Sequence, residues 1–169
     1  MIKELIGKPT ERFKVDYKVY QKLQKIALKH LNVTDMNRLR DRYEGQKFYD
    51  SFLIRSYAEI AMEKFLQEDF INWDLKDDNK SYKPKFNYKG QSAELISANL
   101  ESYPLVPKGT YDIGIIAFIN VDSREVQLLG YASQKELISH IDSYSMSPMF
   151  ENLYFGHLKT FDFLTLFQD

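Results

Sequence analysis

Residues 84–97, PKFNYKGQSAELIS, decide how the fold of this chain is interpreted. Phe86 and Tyr88 alternate with polar residues, and such alternation is typical of a β-strand with one buried face. Lys89-Gly90 then suits a tight two-residue turn, although less well than Asn-Gly. The stretch therefore predicts a β-hairpin.

The register of this hairpin places its polar residues on one face. With a two-residue turn, Asn87 faces Ser92 and Lys85 faces Glu94, and directly opposed residues share a face of the sheet. Ile96 is the next residue on that face. Because polar residues collect there, this face is the candidate functional site.

Two further strands and a helix are expected after the hairpin. TYDIGIIAFIN is a nearly continuous apolar run, which is typical of a central strand covered on both faces. EVQLLGYAS follows as another strand, and Ser133 with Glu136 forms a capping box that opens a helix through Ile141. We expect the aromatic tail from Met146 to close the core.

The first half of the chain is predicted to be helical. Apolar spacing predicts an amphipathic helix over residues 16–31 with Asp16 as its cap, a short helical segment around 35–44, and a longer helix over 51–66 capped by Asp50. Glu59 is expected on the core side of that longer helix. Residues 68–83 are polar without periodicity and predict a connecting loop.

Together these elements predict an α/β protein with a mixed central sheet of about four to five strands flanked by helices. A length of 169 residues and 44% hydrophobic composition fit a single domain. We expect residues 1–50 to form an N-terminal helical extension and residues 51–169 the α/β core.

Composition excludes several kinds of site. The chain has no cysteine, so disulfides and thiolate metal sites are excluded. The three histidines are too scattered to suggest a zinc site, and there is neither a glycine-rich phosphate loop nor a G-x-S-x-G motif. Since no apolar run reaches signal-peptide or membrane-spanning length, we expect a cytoplasmic protein with no membrane partner.

Charge is unevenly distributed, although the net charge is only -1. Residues 1–50 carry 12 Lys and Arg against 7 Asp and Glu, whereas residues 101–169 carry 4 against 9. A basic N-terminal segment can attract phosphates. A solvated, lysine-rich helix face explains the same surplus.

The order of helix, hairpin, long strand, strand and capped helix resembles the PD-(D/E)xK nuclease superfamily, the restriction-endonuclease-like fold, over about residues 51–165. RSYAEIAMEKFL is similar to the family's helix and places Glu59 at its glutamate. In the hairpin, Pro84, Gly90 and Glu94 match the family's proline, turn glycine and acidic residue. The resemblance implies a nucleic-acid ligand, with DNA expected over RNA.

Two signature positions depart from the family pattern. Lys85 stands where the family has its metal-binding aspartate, and Ile96 stands where it has its lysine. The family's carboxylates hold a divalent cation that activates water, and the lysine offsets developing negative charge. A lysine in place of the aspartate would repel that cation and is expected to pair with Glu94 across the strands.

Two interpretations of the site remain open. Either the metal site is neutralised, or it is rebuilt with Asp77 or Asp78 as the missing carboxylate and Lys89 or Lys83 as a displaced lysine. If active, the protein would be a Mg²⁺- or Mn²⁺-dependent endonuclease or exonuclease with Glu59 and Glu94 as catalytic metal ligands. In either case the resemblance implies that Lys83, Lys85 and Lys89 contact nucleic acid.

The function predicted from the sequence is therefore a nuclease-like protein with a degenerate metal site that acts on or binds nucleic acid. The alternative is a non-catalytic interaction module on the same fold. Its aromatic tail or basic N-terminal helix would then dock a partner protein or a second copy of the chain.

Overall fold

A computed structural model of the chain shows an α/β fold built on a strongly curled, mixed sheet of five strands packed against helices. The structure describes residues 10–40, 43–99, 106–144 and 158–161. The elements are β1 (Glu11–Lys14), α1 (Tyr17–His30), α2 (Met36–Arg40), α3 (Tyr43–Leu66), α4 (Trp73–Asp78), β2 (Phe86–Tyr88), β3 (Gln91–Ala98), β4 (Ile113–Asn120), β5 (Glu125–Ser133) and α5 (Gln134–Tyr144).

The strand order is β1-β5-β4-β3-β2. Among these described strands β3 and β4 run parallel, and the other neighbouring pairs are antiparallel. The α/β class and the mixed sheet agree with the prediction from sequence, and helices precede most of the sheet as expected.

The hairpin of β2 and β3 is confirmed in its predicted register. Phe86 pairs with Ala93, and Asn87 pairs with Ser92. Lys89 and Gly90 have φ values of 51° and 74°, so both turn residues are left-handed, as a type I′ turn requires. However, β2 begins at Phe86, so the predicted pairing of Lys85 with Glu94 lies outside the described ladder.

Strand β4 is covered on both faces, as its apolar sequence predicts. Ile115 and Ile119 lie in the larger hydrophobic cluster, which α1 and α3 complete. Ile116 belongs to a second cluster on the opposite face, together with Leu137 of α5. The described helices therefore pack on the two faces of the sheet, with α5 on the second.

The capping box of α5 is confirmed. The backbone N–H of Glu136 donates to the Ser133 hydroxyl at 3.2 Å, and the backbone N–H of Ser133 donates to the Glu136 carboxylate at 2.8 Å. Of the aromatic tail, the described part places Leu158 and Phe161 in the core. The rest of the tail lies outside the described residues.

The predicted start of the longest helix was wrong, and the two predicted aspartate caps do not act as expected. Helix α3 begins at Tyr43 rather than near Ser51, so Asp50 lies inside it and accepts a hydrogen bond from Gln46 instead of capping. Asp16 does occupy the N-cap position of α1, but its side chain makes no capping hydrogen bond.

Two elements were not predicted at all. Residues 68–83 contain α4, whose N-terminus is capped by Asn72 accepting from the backbone N–H of Leu75 at 3.0 Å. Residues 1–50 were expected to be helical, yet Glu11–Lys14 forms an edge strand paired with β5. Part of the expected extension thus belongs to the sheet itself.

Candidate functional site

A cavity of about 520 Å³ lies where α3 meets the exposed edge of β3. Because β2 pairs only with the first three residues of β3, the edge beyond Ala93 has no strand partner among the described strands. Glu59 from α3, Glu94 from β3 and Lys83 from the segment before β2 all line this cavity. The structure therefore brings both predicted carboxylates and one of the three predicted lysines to one place.

Glu59 is engaged by two cationic side chains. Its side chain is 2% exposed, and its Oε2 forms an ion pair with the Nζ of Lys76, whose side chain is 1% exposed. The Nε of Arg55, one helical turn earlier, lies 3.6 Å from the other carboxylate oxygen. The carboxylate is thus neutralised from within the protein.

Burial changes the pKa values of both members of this ion pair. Burial raises the pKa of Glu59 and lowers the pKa of Lys76, because each charged form loses its hydration. The contact between the two groups opposes both shifts. Each partner therefore favours the charged form of the other at a site with little exposure to solvent.

Lys76 reaches Glu59 because α4 is held against α1. Lys29 of α1 pairs with Asp77 at 2.5 Å and with Asp78 at 3.4 Å. The carbonyl of Lys76 lies 3.0 Å from His30 Nε2, and Lys22 Nζ lies 3.9 Å from the ring centroid of Trp73. Asp77 and Asp78, which the rebuilt-site interpretation required, thus pair with Lys29 and do not line the cavity.

Glu94 has a different environment from Glu59. Its side chain is half-buried, and within the described ranges it has neither a hydrogen-bond nor an ion-pair partner. The predicted ion pair between Lys85 and Glu94 does not form among those residues, because Lys85 precedes β2 and is exposed. The carboxylate of Glu94 is therefore available to a ligand.

The two glutamates approach the cavity from different sides of β3. Ala93 lies in the cluster completed by α3, whereas Ile96 lies in the cluster on the opposite face. Because side chains alternate along a strand, Glu94 shares the face of Ile96 and not the face on which α3 packs. Glu59 comes from α3, on the other face. The alternation of side chains along β3 therefore points Glu94 away from the face on which Glu59 lies.

These residues do not fit the divalent cation that the family resemblance implies. Mg²⁺ requires nearly octahedral oxygen coordination. Both oxygens of Glu59 already face cationic groups, and the described part of the chain contains no group of three or more His, Asp or Glu side chains placed to hold a metal. Lys76 supplies the positive charge that a metal would otherwise bring to Glu59.

Three cations contribute to the cavity wall. Lys47 and Arg55 come from α3, and Lys83 precedes β2. Arg55 Nε is buried without a hydrogen-bond partner among the described residues, since 3.6 Å to Glu59 is too long for such a bond. Lys47 and Lys83 are exposed, and neither forms an ion pair with any residue in the described ranges.

The other two lysines of the predicted nucleic-acid surface do not line the cavity. Lys85 is exposed just before β2. Lys89, in the hairpin turn, places its Nζ 5.6 Å from the ring of Tyr88 and 5.9 Å from that of Tyr131. Their predicted contacts with nucleic acid stay predictions.

Sequence reasoning missed Lys47, Arg55 and Lys76. Arg55 was detectable, because a helical residue four positions before Glu59 lies on the same face. Lys76 was not, because the polar pattern of residues 68–83 indicates a loop. Asn72, four residues before Lys76, was the available signal, since asparagine is a favoured helix cap.

No family model matches this chain, and no match was found among curated proteins or among solved structures. The resemblance to PD-(D/E)xK nucleases therefore stays a prediction from the sequence. Within the ranges that the structure describes, no helix combines the length and the apolar character needed to cross a bilayer.

Proposed function

We propose that this protein binds nucleic acid, with DNA as the expected ligand, through the cavity beside β3, and that it does not cleave its ligand by metal chemistry. The observation that carries the proposal is the charge of the cavity wall. Lys47, Arg55 and Lys83 line it, while the ion pair with Lys76 neutralises Glu59. Among the described residues, the wall then carries three cations and one carboxylate without an ion-pair partner, that of Glu94.

This arrangement suits a polyanion better than a metal-dependent nuclease centre. Phosphate groups supply most of the affinity of proteins for nucleic acid, and lysine and arginine are the side chains that bind them. A metal ion that binds both carboxylate oxygens of Glu59 would have to displace Lys76 from a buried contact. The charges of the cavity wall and the resemblance in the hairpin together favour nucleic acid as the ligand.

Binding is tested by fluorescence anisotropy with labelled single- and double-stranded DNA, at salt concentrations between about 50 and 200 mM. We expect affinity to fall steeply with salt. The double variant Lys47→Gln/Lys83→Gln removes two cations. It should lower the log–log salt slope by about 1.4 for single-stranded DNA and about 1.8 for duplex DNA, since each phosphate contact contributes about 0.7 and about 0.9 respectively.

The matched control is Lys18→Gln/Lys25→Gln, which removes the same charge from two exposed positions on α1. It should leave the salt slope nearly unchanged. Equal losses in the two double variants would show that the cavity is not the binding surface. No DNA binding at the lowest salt would overturn the proposal.

Incubation of plasmid DNA with the protein and Mg²⁺ or Mn²⁺ tests the proposal that the protein does not cleave DNA. We expect the plasmid to stay intact. Cleavage that disappears in Glu94→Ala would show instead that a metal centre survives.

A further inference from the structure

We infer that the cavity beside β3 accepts one unpaired nucleotide, and that Glu94 selects a base carrying an amino group. This inference rests on the proposed function and specifies its ligand: single-stranded nucleic acid, or a strand end, rather than an intact duplex. Three features of the cavity support it: its apolar walls, its hydrogen-bond donors, and a carboxylate that has no partner among the described residues.

The cavity has largely apolar walls, and its volume suits one small ligand. Ligand sites in proteins commonly have volumes of about 300–1,000 Å³ and mostly apolar linings. At about 520 Å³ this cavity lies inside that range. Bases stack on aromatic side chains, and Phe86 supplies such a surface in the lining. The apolar lining residues include Ile54, Pro84, Phe86, Leu95, Ile96 and Val106.

The donors suit a phosphate group. Arg55 Nε is a buried donor that lacks a hydrogen-bond partner in the described part of the chain, and buried donors of this kind are rare in proteins unless a ligand or water satisfies them. Lys47 and Lys83 line the same cavity with their charges unpaired within the described ranges. A phosphate bound there would supply acceptors to all three side chains.

Glu94 gives the cavity a means of distinguishing bases. An ionised carboxylate only accepts hydrogen bonds. Cytosine, adenine and guanine each carry an amino group that donates, and carboxylates of proteins bind the amino group of cytosine in this way. Thymine has no amino group, and its one base donor, N3–H, lies between two carbonyl oxygens that a carboxylate repels. We therefore expect thymine to bind Glu94 more weakly than cytosine does.

The test compares three labelled DNA ligands of equal length by fluorescence anisotropy: oligo(dC), oligo(dT) and a mixed-sequence duplex. We expect oligo(dC) to bind about tenfold more tightly than oligo(dT), within the range known for one good contact to a base. The duplex should bind more weakly than oligo(dC).

The variant Glu94→Gln keeps nearly the same shape and adds a donor. It should bring the affinities for oligo(dC) and oligo(dT) to within about twofold of each other. The control Lys83→Gln should weaken both ligands while leaving their ratio unchanged. Thermal unfolding followed by circular dichroism verifies that each variant is folded.

The outcomes separate the two proposals. A duplex bound more tightly than oligo(dC), equal binding of the two oligonucleotides, or an unchanged ratio in Glu94→Gln would overturn this inference and leave nucleic-acid binding in place. No binding of any of the three ligands would overturn the proposed function as well.

Discussion

At the scale of single residues, the contact between Glu59 and Lys76 dominates the chemistry of the cavity floor. Both side chains are almost fully buried, and such pairs gain little net stability over apolar replacements because both charges lose their hydration. Removing one partner, however, leaves the other charge buried and uncompensated. The intact pair therefore adds little net stability, but loss of either partner should destabilise the fold around the cavity.

This asymmetry predicts the effect of Lys76→Met. We expect a loss of about 3–5 kcal/mol in the free energy of unfolding, because the carboxylate of Glu59 keeps only the more distant Arg55. The double variant Lys76→Met/Glu59→Gln removes both charges and should be more stable than the single variant. Urea denaturation measures both, with Lys135→Met at an exposed position of α5 as the control.

The double variant decides the interpretation. If it is less stable than Lys76→Met alone, then the buried carboxylate is not what destabilises the single variant.

Another single residue, Tyr57, links stability to alkaline pH. It is fully buried, its hydroxyl has no hydrogen-bond partner among the described residues, and burial raises its pKa to about 12. A raised folded-state pKa means that stability is complete below the unfolded pKa of about 10 and is lost as the pH rises toward 12. Between these values Tyr57 should cost about 1.4 kcal/mol for each pH unit.

The variant Tyr57→Phe should therefore lose less stability than the native protein between pH 8 and pH 11. At pH 8 it should be at least as stable as the native protein, because it removes a buried hydroxyl that has no hydrogen-bond partner within the described ranges. Urea denaturation at both pH values provides the measurement. Tyr43→Phe, at an exposed position, serves as control and should follow the native protein. Parallel losses in native protein and Tyr57→Phe would show that Tyr57 does not ionise on unfolding in this range.

At the scale of elements, local chemistry explains which parts of the fold could be predicted. The turn at Lys89-Gly90 and the capping box at Ser133 depend on residues that are neighbours in sequence, and both were predicted correctly. Helix α4 has only six residues, too few for a stable isolated helix. Contacts with α1, such as Lys29 with Asp77, hold it in place.

Strand β1 and the cavity depend on contacts between distant parts of the chain. Strand β1 has only four residues. It pairs with β5, more than one hundred positions later in the chain. Because this pairing is not local, the sequence around β1 does not predict the strand. Glu59 and Glu94 both line one cavity. The sequence indicates the helix and the hairpin that carry them, because both elements have clear local patterns. Lys76 was missed because its segment gains structure only from tertiary contacts.

At the scale of the whole molecule, much of the basic surplus of residues 1–50 lies on helices within the described residues 10–40 and 43–50. Lys22 and Lys29 of α1 contact Trp73 and Asp77 of α4, so part of the surplus holds α4 in place. Of the three cations in the cavity wall, only Lys47 comes from this segment. We therefore expect the cations that line the cavity, and not the net charge of residues 1–50, to determine what the protein binds.

The whole fold also depends on close contact between α5 and the central strand. Gly114 of β4 faces Leu137 of α5 and Ile96 of β3, whose side chains occupy the space that a Cβ at position 114 would need. Both blocking atoms are terminal methyl groups of flexible side chains, so we expect Gly114→Ala to cost about 1 kcal/mol, the low end for overpacking. Leu137→Ala should cost about 2–5 kcal/mol, because it leaves a cavity in the second hydrophobic cluster.

Combining the two variants tests that contact directly. In Gly114→Ala/Leu137→Ala the new methyl group enters space that the shortened side chain has vacated, so the double variant should be at least about 0.5 kcal/mol more stable than additivity predicts. As a control, Gly114→Ala combined with Ile26→Val, in the cluster on the opposite face of the sheet, should be additive within about 0.5 kcal/mol. Urea denaturation of the single and double variants provides these values. If the Gly114 and Leu137 substitutions are also additive, α5 does not pack against β4 at Gly114, and the second face of the sheet is closed by other residues.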